Sequence, residues 1–257
     1  MTQQTTHEPG SVATQIDNGI GTVAFGHPKG NSLPGALLAE LAARITALGS
    51  DSKVNVVVLR SEGTGAFCAG ASFAELSAIS DAEGGTRFFM GFANLINAMR
   101  ECPKLIVTRV HGKAVGGGVG IVAASDYALA TTAAQVKLSE LAIGIGPFVV
   151  GPVIERKIGL GHYAALGIDA ANWRSADWAH QRGLFAELCD SVADLDGRVA
   201  ALARQLAASN PAAMAELKKV FWQGCDHWRE LLPARARLSG ALVVSEPARR
   251  AIARLSQ

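Results

Sequence analysis

The sequence predicts an α/β protein. Apolar, β-branched runs occupy the first half of the chain, and helical periodicity dominates the second. Two glycine-rich turns, Gly63–Gly70 and Gly112–Gly118, each follow a strand-like run and lead into helical sequence. Together these imply a sheet covered by helices, with its loops gathered at the strand ends.

Taken in order, residues 1–10 are polar and predict a disordered arm without the apolar core of a signal peptide. Val12–Ile16 and Ile20–Phe25 flank Asp17-Asn18-Gly19, a hairpin signal. Gly26–Leu33 is a loop, with Ser32 and Pro34 placed as cap and first-turn residues of a helix. Leu37, Leu38, Leu41, Ile45 and Leu48 then repeat at helical spacing up to Gly49. Val54–Leu59 is an almost unbroken apolar strand, as expected of a sheet buried on both faces. Helices are predicted over 73–79 and 87–100, a strand over 104–110, and a small-residue helix over 119–124. Short strands follow at 127–130 and 135–138, and Ser139 is placed to cap a segment beginning at Glu140. Gly144–Pro147 is a turn, and 150–158 resumes a helix. Beyond Gly159 the pattern is almost entirely helical, over 162–166, 175–182, 195–208, 211–222 and 226–244. The boundaries predicted are an arm at 1–10, a core at 11–190 and a helical region at 191–257 that is not a separate folding unit.

Bulk properties narrow the function. A formal net charge of +2 gives no reason to expect a nucleic-acid partner or an anionic membrane. No apolar run reaches spanning length without interruption. Cys68, Cys102, Cys189 and Cys225 are widely spaced, which argues against a zinc site or disulfide framework and for reduced core thiols in a cytoplasmic protein. The six histidines lack metal spacing, so no metal is expected.

The chemistry is expected at the glycine turns. A helix start carries unpartnered N–H groups and the positive end of the dipole. Gly116-Gly117-Gly118 would let a ligand oxygen approach such donors with no Cβ in the way. If neighbouring strands bring Gly65–Gly70 beside it, two amides converge on one oxygen, the geometry of an oxyanion hole. The same glycines serve equally well as packing residues at tight turns. Glu140, set among Leu138, Leu141, Ala142 and Ile143, is the candidate acid/base, since partial burial would raise its pKa. Taken alone, it also reads as an ordinary first-turn helix glutamate. Gly118-x-Gly120-x-x-Ala123 fits a relaxed dinucleotide fingerprint but stands too late in the chain, and neither a P-loop nor a serine-hydrolase elbow is present. His111 keeps a minor claim as a polar group near the glycines, the four tryptophans read as packing residues, and Lys218-Lys219 reads as a solvated helix face.

With these residues assembled, the chain resembles the crotonase superfamily, the enoyl-CoA hydratase/isomerase family, from about Val12 to the C-terminal helices. Phe67-Cys68-Ala69-Gly70-Ala71 is similar to the first oxyanion-hole motif, with the Ala69 N–H as donor, and Gly116-Gly117-Gly118 to the second, with Gly117 as the other donor. Ser139-Glu140, followed by Gly144 and Pro147, resembles the segment carrying the second glutamate of the hydratases. His27–Leu33 resembles the loop that lies along CoA.

The resemblance implies a crotonase-like spiral of ββα units with a helical C-terminal trimerisation region, assembled as a homotrimer or a dimer of trimers. It implies an acyl-CoA thioester substrate held as an enolate, with Glu140 as the catalytic carboxylate and Lys29, Cys68, Gly70, Ala71 and Gly116 along the CoA ester. No cofactor is implied, coenzyme A being part of the substrate. Three departures matter. The position of the first hydratase glutamate is Gly120, the aspartate after the first motif is Ser72, and a glycine near 148 is Phe148. The leading expectation is an enoyl-CoA hydratase with a single glutamate, acting on a branched-chain or methylglutaconyl-CoA in leucine degradation. A Δ3,Δ2-enoyl-CoA isomerase is the alternative, and a non-catalytic acyl-CoA-binding protein on the same fold is the alternative from another class.

Overall fold

The computed structural model describes residues 10–255, so all but Gly10 of the predicted N-terminal arm lies outside the described residues. Along the chain the elements are β1 (Ser11–Asp17), β2 (Ile20–Gly26), α1 (Gly35–Ser50), β3 (Val56–Ser61), α2 (Phe73–Ala78), α3 (Ala82–Glu101), β4 (Leu105–Val110), β5 (Ala114–Val115) and α4 (Gly117–Ala124). They continue with β6 (Tyr127–Thr131), β7 (Gln135–Lys137), a 3-10 turn (Leu141–Ile143), α5 (Gly151–Ile158), α6 (Leu160–Ile168), β8 (Arg174–Ser175), α7 (Ala176–Gln181) and β9 (Glu187–Cys189). Four helices close the chain: α8 (Val192–Ala207), α9 (Pro211–Phe221), α10 (Trp228–Val243) and α11 (Glu246–Leu255).

The main sheet runs β1-β2-β3-β4-β6-β9 and is parallel except for the β1–β2 hairpin. After β2, β3, β4 and β6 the chain makes a short extended passage in a second layer before its next helical segment. Leu33 pairs with Ala71, Cys68 with Ala114, β5 with β7, and β7 with β8. This repetition is the spiral of ββα turns that the resemblance implied. It also explains what periodicity missed, because β5 and β8 are only two residues long.

Both faces of the sheet are covered. Val57 and Leu59 pack into the main core with Leu38, Ile45, Phe92 and Ile96, while Val56, Val58, Val107 and Leu129 meet Leu195, Val199 and Ala203 of α8. The C-terminal helices are therefore part of the core rather than an appendage. Lys218 on α9 is buried, not solvated: its ammonium lies 2.9 Å from Asp126 Oδ2 and donates to the Lys104 carbonyl at 2.8 Å. Trp222 donates its indole N–H to the same aspartate at 3.3 Å. Helix α10 crosses α3 closely, since a Cβ on Gly85 would stand 2.8 Å from the Gly240 Cα.

Two caps differ from expectation. Ser32 does not cap α1. Its hydroxyl meets His27 Nδ1 at 3.0 Å, and the first amide of α1, from Gly35, is taken at 2.7 Å by Glu75 of α2. Ser139 does not cap the 3-10 turn with its side chain, and Glu140 is itself the entry residue, in helical conformation. Ser72 is well used, its hydroxyl accepting the Glu75 amide at 3.4 Å to start α2. All four cysteines are free and buried, and no helix is long and apolar enough to cross a membrane among the described residues.

Candidate active site

Because β3 and β4 are parallel neighbours, paired from Val56↔Leu105 to Arg60↔Arg109, the loops that leave them emerge at one sheet edge. The loops are then locked together. Cys68 N–H donates to the Lys113 carbonyl at 3.1 Å, and Val115 N–H donates to the Cys68 carbonyl at 2.9 Å. A Cβ on Gly70 would stand 2.8 Å from the Val115 carbonyl oxygen and 3.8 Å from the Gly117 nitrogen. Only glycine permits that approach, and it brings the two turns into contact beside Gly117.

Of the two amides expected as donors, Ala69 and Gly117, only one is unengaged. Ala69 N–H donates to the Gly30 carbonyl at 3.0 Å and is not free to hold a ligand oxygen. Two residues on, Leu33 takes its hydrogen bonds from the flanks of Ala71, with Leu33 N–H donating to the Gly70 carbonyl at 2.8 Å and Ser72 N–H to the Leu33 carbonyl at 3.1 Å. This leaves the Ala71 N–H without an acceptor among the described residues. Gly117 opens α4, so its N–H has no partner within the helix and none elsewhere among the described residues. Ala71, Gly116 and Gly117 line one cavity of about 270 Å³. The pairing register of an extended loop decides which amide is spare, and sequence carries no signal of it.

Glu140 lines the same cavity. The Ile145 N–H donates to its carbonyl at 3.0 Å, fixing the turn that carries it. Its carboxylate lies against Gly116, where a Cβ would stand 2.7 Å from Oε1, and Gly116 holds φ +52°. Oε2 is buried without a hydrogen-bond partner. Burial pushes the pKa up to about 7, with a smaller opposing pull from the residue's own amide. A carboxyl group so placed takes and returns protons near neutrality.

The rest of the wall is mostly apolar, with Phe89 and Phe92 of α3, Ile143, Phe148 and Val150 among its members. A Cβ on Gly120 would lie 2.5 Å from Val150 Cγ1, so Val150 packs directly against that glycine.

The other predicted residues divide. Gly70, Ala71 and Gly116 line the cavity with Ala69 and Gly117. Cys68 does not: it is fully buried, its sulfur accepts the Gly70 amide at 3.4 Å, and burial pushes the thiol up to about 12. Its side chain supports the loop rather than touching a ligand. Lys29 stands on the exposed turn that supplies the Gly30 carbonyl and is not part of the cavity wall. His111 is buried away from the cavity with neither ring nitrogen partnered, and burial, with Arg109 and Arg60 nearby, lowers its pKa. Periodicity did not single out Lys137 and Ser239, which also line the cavity.

Residues 15–240 match the sequence profile of the Enoyl-CoA hydratase/isomerase family. Over 232 residues, 84% of this chain, the sequence is 29% identical to a mitochondrial methylglutaconyl-CoA hydratase of Homo sapiens. The match spans 68% of that protein and 63% of its mouse and rat counterparts. Over 226 residues it is 30% identical to the Mycobacterium tuberculosis (7aS)-7a-methyl-1,5-dioxo-2,3,5,6,7,7a-hexahydro-1H-indene-carboxyl-CoA hydrolase, covering 84% of this chain and 82% of the relative. In three dimensions it superposes on an enoyl-CoA hydratase from Bacillus halodurans with a TM-score of 0.87, at 21% identity, covering 95% of this chain and 99% of the other. The repeated ββα turns, the paired glycine loops and this similarity over most of the chain place the protein in the enoyl-CoA hydratase/isomerase family, on the crotonase fold.

Proposed function

We propose that the chain is an acyl-CoA enzyme that works through a thioester enolate, with Glu140 as its single acid/base. The free amides of Ala71 and Gly117 would hold the thioester oxygen, and loss of one such donor typically costs about 3–4 kcal/mol of transition-state stabilisation. Of the family's two named reactions, the geometry favours isomerisation of a 3-enoyl-CoA to the 2-enoyl-CoA. The observation that carries this is Val150 filling the space beside Gly120, which leaves one carboxylate in an apolar wall. Glu140 takes a proton from C2, the electron pair spreads into the dienolate held by the amides, and the same carboxyl returns a proton at C4. A group with pKa about 7 suits both halves of that exchange.

Hydration is the second reading. It is supported by the 29% identity to a methylglutaconyl-CoA hydratase, and in it Glu140 would direct a water instead. Incubation with 3-hexenoyl-CoA and with crotonyl-CoA separates the two. Isomerisation is expected to raise the conjugated-enoyl absorbance from the first, whereas rapid loss of that absorbance from the second would favour hydration.

A homotrimer or dimer of trimers is part of the proposal. It is supported by apolar side chains left exposed on α6 (Leu160 and Ile168) and α9 (Val220 and Phe221).

A further inference from the structure

The second layer of the spiral carries a feature that the enolate chemistry does not use. In that layer Val115 pairs with Lys137, and Val136 with Arg174. Side chains alternate across a strand, so Lys113, Val115 and Lys137 share a face, and Trp173, one residue before Arg174, falls beside Lys137. The contacts agree: Lys113 Nζ lies 4.7 Å and Lys137 Nζ 5.5 Å from the centroid of the Trp173 ring. Val115 and Lys137 are also wall residues of the cavity that holds Glu140.

Neither lysine has a carboxylate within salt-bridge distance among the described residues. By contrast, Lys218 is paired with Asp126 and Lys219 with Glu216. Two ammonium groups drawn to one indole repel each other, and the ring's negative face offsets only part of that cost. Lys137 therefore puts a cation in the wall of an apolar cavity, and Lys113 stands outside that wall on the same indole.

We infer that Lys137, backed by Lys113 across Trp173, binds a carboxylate carried by the acyl group, so that the substrate class is the mono-CoA esters of dicarboxylic acids. The inference rests on the reading above that this cavity holds the acyl group. A carboxylate suits the position better than a CoA phosphate. A cavity of about 270 Å³ takes the thioester and a short acyl chain, whereas the phosphates lie beyond the pantetheine arm.

The test is equilibrium binding of two unreactive six-carbon esters, hexanoyl-CoA and the mono-CoA ester of adipic acid, by titration calorimetry. Neither carries a double bond, so the result does not depend on whether the enzyme isomerises or hydrates. The wild type is expected to bind the adipoyl ester about tenfold more tightly. Lys137→Met should remove that advantage, and Lys113→Met should remove about half of it on a logarithmic scale. N-acetylcysteamine thioesters of the same acids, which carry no phosphate, should keep the wild-type preference. Equal affinities in the wild type would overturn the inference. So would a Lys137→Met variant that binds both CoA esters equally weakly but the N-acetylcysteamine thioesters normally, because the cations would then be reading phosphate. If neither CoA ester binds, the acyl-cavity reading itself fails, and the inference falls with it.

Discussion

Gly116 and Glu140 are in contact: a Cβ on the glycine would stand 2.7 Å from the glutamate Oε1. That contact joins the turn bearing the Gly117 amide to the one carboxylate in the cavity wall among the described residues. Gly116→Ala would strain a backbone held at φ +52° and push the carboxylate from its seat. The expected result is a loss of about 1–3 kcal/mol in stability and at least a tenfold loss in kcat, measured by denaturant unfolding and steady-state kinetics.

The buried carboxyl makes stability depend on pH in a stated direction. Glu140 has a folded pKa of about 7 against an ordinary value of 4.5. Below 4.5 the group is protonated in both states and has no effect on the balance. As pH rises from 4.5 to 7 the unfolded chain gives up its proton first, so stability falls, by up to about 3 kcal/mol, and then levels off. Glu140→Gln should remove this decline. Chemical denaturation of both proteins between pH 5 and pH 8, at about one-unit intervals, reads the difference directly.

The crowding at Gly120 predicts an asymmetry between single and double variants. Gly120→Glu alone must displace Val150, whose Cγ1 would lie 2.5 Å from the new Cβ, and should cost about 1–3 kcal/mol of stability. Combining it with Val150→Ala opens the space. The double variant is expected to recover stability and to raise the ratio of crotonyl-CoA hydration to 3-hexenoyl-CoA isomerisation, both followed by absorbance.

Lys218 should matter for stability and not for turnover. Lys218→Met strands Asp126, which also accepts the Ile106 amide at 2.7 Å, as a buried charge without its cation. A loss of about 3–5 kcal/mol is expected, with KM and kcat unchanged in the folded fraction, as measured by unfolding and initial rates at low temperature.

The fold was legible where periodicity had room to speak. The long buried strands at 56–61 and 105–110 and the helix at 35–50 fall within a few residues of their predicted places. The two-residue strands β5 and β8 were not legible, nor was α11, whose polar sequence hides an apolar stripe of Ala248 and Ile252. At the site, residue type alone left Glu140, Gly116 and Gly117 open to a structural role; only in combination did they point to one place, and the structure brings all three to one cavity wall. The switch from Ala69 to Ala71 was not legible, since it depends on which amide Gly30 and Leu33 leave unused. Lys218 misled for a similar reason: its partner Asp126 lies far away in sequence, and a Lys-Lys pair looks like a surface until α9 is laid on the core.

The central claim is that Glu140 alone moves the proton on an amide-held thioester enolate. It is tested most directly by following 3-hexenoyl-CoA in deuterated buffer with wild type and with Glu140→Gln, by absorbance and by mass spectrometry of the product. The account predicts 2-hexenoyl-CoA from the wild type, with less than one solvent deuterium per turnover because one carboxyl carries the C2 proton to C4, and neither conversion nor exchange from the glutamine variant. Conversion by Glu140→Gln at the wild-type rate would contradict it.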